Sequence, residues 1–165
     1  MLAWKDRPEE IANLLNPAFC GEILRRAIQS YCKQKQARFP FILLYLVLPV
    51  VLTRNIRTCM PQGNERPKMH PWIEKNAQVK IGFASKVDNY CEITNEAVLF
   101  LSKHNLIEID DAGTVNLIRF NQTTLLNTDN IEHPDNIFKA ARRTGLWFSE
   151  ASAVSSIFAM WGITL

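Results

Sequence analysis

Apolar positions recur with helical spacing toward both ends of this chain and alternate as a strand pair would only near residues 106–118. Asn16-Pro17 reads as a helix start: the asparagine side chain can cap, and proline at the first helical position sacrifices no hydrogen bond. From there Phe19, Ile23, Ala27 and Tyr31 recur every four residues, and Leu24 and Ile28 widen the stripe. Glu22, Arg25, Arg26, Gln29 and Lys33 fall on the other side. The pattern predicts an amphipathic helix of about five turns with a mostly basic polar face.

An uncharged run of 14 residues follows, Phe39 to Leu52, interrupted by Pro49. A membrane-spanning helix needs about 20 apolar residues, so the run reads as a fully buried core segment. Its leucines favour a helix and its length also permits a strand; periodicity alone does not decide. Thr53-Arg54-Asn55-Ile56-Arg57 suits a short basic helix, and Met60 to Pro71, with four prolines and glycines, suits a loop.

The segment 71–118 is the most readable. Pro71-Trp72-Ile73 opens a short helix, and Val79, Phe83, Val87 and Tyr90 space a second. Thr94 is positioned to cap a third, from Asn95 to His104. Residues 106–109 and 114–118 read as two strands turning through Asp110-Asp111-Ala112-Gly113. Three helices and a hairpin, in that order, predict a winged-helix-like centre. After a polar connection around Pro134, Ile137, Ala140, Ala141 and Leu146-Trp147-Phe148 mark a helix with a possible break near Gly145, and residues 149–161 a further one. The expected whole is one domain over 1–165, α+β and mostly helical, with an N-terminal helical part (1–60), the winged-helix-like part (71–118) and C-terminal helices (129–165).

Composition adds bounds. Hydrophobic residues make up 47% of the 165, enough to bury a sizeable core. The net charge of +3 is unevenly spread. Residues 1–80 carry thirteen Lys/Arg against six Asp/Glu, and residues 81–165 carry six against ten. That asymmetry suits docking to charged partners, although a solvated surface would look the same. Cys20, Cys32, Cys59 and Cys91 form no CxxC pair, and Met1-Leu2-Ala3-Trp4-Lys5-Asp6-Arg7 has no signal-peptide character. Reduced thiols in a cytoplasmic protein are the natural reading, which leaves the Asn121-Gln122-Thr123 sequon without meaning.

Chemistry is hard to find. His70, His104 and His133 are far apart in sequence, and no cysteine pairs with a histidine at helical spacing, so no metal site is expected. GxSxG, a Walker loop and GxGxxG are absent. Asp110-Asp111 is better explained by turn chemistry than by acid–base work. No catalytic residue and no cofactor are expected. A winged helix invites a nucleic-acid reading, but the expected recognition helix offers Asn95, Glu96, Ser102 and Lys103, and the wing carries Glu108, Asp110 and Asp111, which phosphates would repel. Basic residues cluster instead at Arg25, Arg26, Lys33, Lys35, Arg38, Arg54 and Arg57, with Arg142 and Arg143 as a second surface.

Several segments together resemble a known bacterial family. They are Asn13-Leu14-Leu15-Asn16-Pro17-Ala18-Phe19-Cys20-Gly21, the Pro40 to Leu52 run with Leu48-Pro49, Thr53 to Pro61, Ile137-Phe138-Lys139-Ala140-Ala141, Gly145-Leu146-Trp147-Phe148, and the Gly162-Ile163 ending. The chain resembles the middle component of three-component ABC conflict systems over nearly its whole length. The resemblance implies a non-enzymatic adaptor that couples an ABC-type ATPase to an effector protein, in systems directed against phages and other mobile DNA. It defines no catalytic residues to carry over. Arg54, Arg57, Trp72, Arg142 and Arg143 are the expected protein contacts, and a DNA-binding regulator is the alternative.

Overall fold

A computed structural model describes residues 15–61, 67–118 and 134–164. Helix α1, Pro17–Lys35, starts where the sequence places it: Asn16 Oδ1 accepts the Ala18 amide at 2.8 Å. It buries Phe19, Ile23, Leu24, Ala27, Ile28 and Tyr31, and ends on Gln36 in the left-handed conformation. A short strand β1, Phe39–Pro40, and one 3₁₀ turn, Phe41–Leu43, lead into helix α2, Leu44–Leu52. The apolar run is thus mostly a helix, with every residue of α2 except Tyr45 buried. Thr53, in extended conformation, separates α2 from helix α3, Arg54–Cys59, and its carbonyl accepts the Ile56 and Arg57 amides.

Helix α4, Met69–Lys75, and a 3₁₀ turn, Ala77–Lys80, precede helix α5, Phe83–Lys103. Here the structure corrects the sequence reading. The second and third helices expected in this segment are one continuous helix. Thr94 does not cap; it lies buried mid-helix, and its Oγ1 donates to the Tyr90 carbonyl one turn back at 2.9 Å. A hairpin follows, β2 (Ile107–Ile109) and β3 (Thr114–Leu117), as the alternation predicts. Asp110 makes the turn: Oδ1 accepts the Thr114 amide at 2.8 Å and Oδ2 accepts its hydroxyl at 2.7 Å, while Gly113 takes a positive φ of 71°. Strand β1, missed in the sequence, pairs antiparallel with β3 in register Phe39 to Val115, giving the order β1-β3-β2.

Helix α6, Pro134–Glu150, runs unbroken through Gly145, and helix α7, Val154–Met160, closes the chain. Gly145 is there for proximity. A Cβ at that position would lie 2.1 Å from the Ala27 carbonyl oxygen of α1, so the two helices touch backbone to backbone. Phe19 meets Phe138 at 5.7 Å between ring centroids, and Lys35 Nζ reaches the Ala151 carbonyl at 2.8 Å. These three contacts run in step, so α1 and α6 lie side by side and parallel. Helix α1 also packs on α5 and α2, and is the element around which the core forms. At one end of the core Trp72 lies 4.6 Å from Trp147, and Trp161 stacks on Phe83 at 4.3 Å. The Asn121 sequon, His133 and the polar connection from Asp129 to His133 lie outside the described residues.

Candidate functional site

The first basic cluster read from the sequence is largely engaged within the fold. Glu22 accepts from Arg25 and Arg26, each at 2.6 Å, and the Arg26 guanidinium lies 4.1 Å over the Phe138 ring. Arg38 pairs with Asp110 at 3.1 Å and approaches Glu108 at 3.8 Å. The acidic hairpin thus meets a cation of the basic half across the sheet.

Another set of cations converges elsewhere. Helix α1 supplies Ser30, Lys33 and Gln34, one turn of its polar face. Helix α3 and the residues after it supply Arg57, Thr58, Met60 and Pro61. Helix α6 supplies Asn136, Lys139, Ala140, Arg142, Arg143 and Leu146, which recur at three- and four-residue spacing. Together they line a groove of about 760 Å³. Among its described residues five are cations and none is a carboxylate.

Two of the arginines show how the fold sets this potential. Arg57 Nη1 donates to the Val51 and Leu52 carbonyls at 2.8 and 3.2 Å, where α2 has run out of amide donors. Burial pushes its pKa below the ordinary arginine value, Arg54 adds to that, and Tyr90 opposes it. Arg142 is lowered in the same way, first by burial and then by Arg26, with Asp135 and Glu22 opposing. Both remain cations at any physiological pH. The shifts mean that their charge sits in a partly desolvated, electropositive setting.

The structure therefore brings Arg57, Arg142 and Arg143 together and leaves Arg54 exposed outside the groove lining. Trp72 is a correction: it is 4% exposed, its indole N–H donates to the Cys59 carbonyl at 2.9 Å, and its ring faces Trp147, so it anchors the core instead of presenting a surface. Lys139 joins the three arginines in the groove; its spacing from Arg142 and Arg143 on one helix is the sequence signal for it.

Among the described residues, reactive groups do not gather: no three His, Cys, Asp or Glu converge as metal ligands would. His70 lies on the surface 3.6 Å from Glu74, and His104 packs on Phe100. All four thiols are free of disulfides, and burial pushes those of Cys32 and Cys91 up, away from reactivity. Among the described residues no helix is long and apolar enough to cross a membrane.

A family model described as ABC-three component (ABC-3C) system Middle Component 3 matches residues 4–165. The chain belongs to that family. It is a middle component of a multi-part ABC system, and membership implies partner components. No curated protein and no solved structure matches the chain.

Proposed function

We propose that this middle component is a non-enzymatic adaptor, which couples an ABC-type ATPase to an effector protein in a bacterial defence against phages and other mobile DNA. It would work in the cytoplasm, through protein interfaces. The observation that carries this reading is the family match over essentially the whole chain. A basic groove that gathers cations from three helices adds support, because an oriented charged surface suits docking more than bond-making. Arg57, Arg142 and Arg143 in the groove, and exposed Arg54 beside it on α3, are the proposed contact residues.

Co-expression with the co-encoded ATPase and effector, followed by affinity purification on a tag carried by this chain, tests the reading. Both partners are expected to elute with it. Recovery of neither would overturn the adaptor. Duplex DNA binding that falls steeply with salt, with no partner recovered, would put a DNA-binding regulator in its place.

A further inference from the structure

We propose that the groove between α1, α3 and α6 receives an acidic segment of a partner protein, in which one apolar side chain sits among carboxylates. The inference rests on the adaptor reading and adds the chemistry of what is held.

Three observations select this occupant. Lys33, Arg57, Lys139 and Arg142 line the groove and no carboxylate is among its described lining residues, Asp135 and Glu22 acting on Arg142 from outside the lining. An anionic ligand answers that imbalance, and guanidinium forks match carboxylates in two-point geometry. Secondly, the lining is not wholly polar. Met60 is buried, Leu146 and Pro61 are half-buried, and Ala140 lies with them. This apolar strip fits an aliphatic anchor, and the flexible thioether of Met60 adapts to its shape. A phosphodiester backbone would leave the strip unused. Thirdly, no Phe, Tyr or Trp is among the described lining residues. Single-stranded nucleic acid is held by stacking bases on such rings as well as by cations, so half of that recognition is missing.

The probe is a fluorescein-labelled peptide of alternating Glu and Asp with a central Leu. It is compared with its Leu→Ser counterpart and with a single-stranded oligonucleotide of equal charge, by anisotropy on the whole chain. The Leu peptide is expected to bind most tightly. The double variant Lys139→Glu/Arg142→Glu is expected to weaken it about tenfold or more, because both side chains are exposed on α6 and each reversal adds repulsion. Lys139→Gln/Arg142→Gln should fall between, and an unchanged circular dichroism spectrum excludes unfolding as the cause. Absence of saturable peptide binding, binding indifferent to the charge reversal, or tighter binding of the oligonucleotide would overturn the proposal. The co-purification then separates the two readings. If the reversed variant still elutes with both partners as the parent chain does, the groove assignment fails and the adaptor stands. If the parent chain recovers no partner, the adaptor itself fails.

Discussion

Glycine at position 145 is a residue whose purpose only the third dimension reveals. Along the sequence it resembles a helix breaker; in the fold it is the point where α6 leans on the backbone of α1 at Ala27. Gly145→Ala is expected to destabilise the protein by about 3 kcal/mol, since a methyl group 2.1 Å from a carbonyl oxygen must force two packed helices apart. Gly21→Ala should cost much less, because its new methyl would meet side chains, Leu101 at 3.1 Å and Phe100 at 3.5 Å, which can give way. Chemical denaturation of the two variants checks the contrast, and equal losses would contradict the close approach. Trp72 teaches the converse lesson. Arginine and tryptophan are favoured interface anchors, so sequence alone made it a contact candidate. A buried indole and an exposed one read alike until the Cys59 carbonyl and the Trp147 ring are seen on either side.

Single elements were legible where local chemistry decides them. The Asn16 cap, the stripe of α1 and the Asp110–Gly113 turn are determined within a few residues, and all three appear as read. Boundaries set by tertiary packing were not. Thr94 has the side chain of a cap, but fully buried it donates back to the Tyr90 carbonyl, and the helix continues past it. Strand β1 is two residues long and one is proline, so no alternation could announce it; only the waiting edge of β3 makes it a strand. The hairpin carries a pH dependence. Hydrogen bonds from the Thr114 hydroxyl and then its amide, with Arg38 as a lesser contributor, hold the Asp110 carboxyl below the usual carboxylate range. A depressed folded-state pKa gives a contribution that is present above the unfolded value and lost as pH falls through the folded one. The turn is therefore expected to stay intact through neutral and mildly acidic conditions and to loosen only in strong acid. Exchange protection of the Thr114 amide should track this, and Asp110→Ala should abolish the dependence; protection that ignores both would refute it.

For the whole molecule, the uneven charge along the sequence resolves into an internal and an external share. Arg38 joins the basic half to the acidic hairpin, and Arg25 and Arg26 satisfy Glu22, whereas Lys33 and Arg57 meet cations of α6 in the groove. A count by halves names no surface; Lys33, Arg57, Arg142 and Arg143 stand out in the sequence as two separate groups, and only folding lays Lys139 and Arg143 beside α1 and α3. Stability and docking should accordingly separate by position. Trp72→Ala is expected to cost about 3–5 kcal/mol, a large share of the 5–15 kcal/mol typical of a domain, while Arg54→Ala should stay within about 0.5 kcal/mol. Thermal melts of both variants read this directly, and a mild Trp72→Ala would mean that the indole cluster is not a structural keystone.

That cluster has a practical consequence. Of the four tryptophans in the chain, Trp72, Trp147 and Trp161 lie within one ring-to-ring network whose closest indoles are 4.6 Å apart, and Phe83 extends it. Emission from three indoles so near one another will exchange excitation and shift as a unit. The protein therefore carries its own optical gauge of whether α4, α6 and α7 stay together, and a partner that pulls on α6 will announce itself in unlabelled fluorescence.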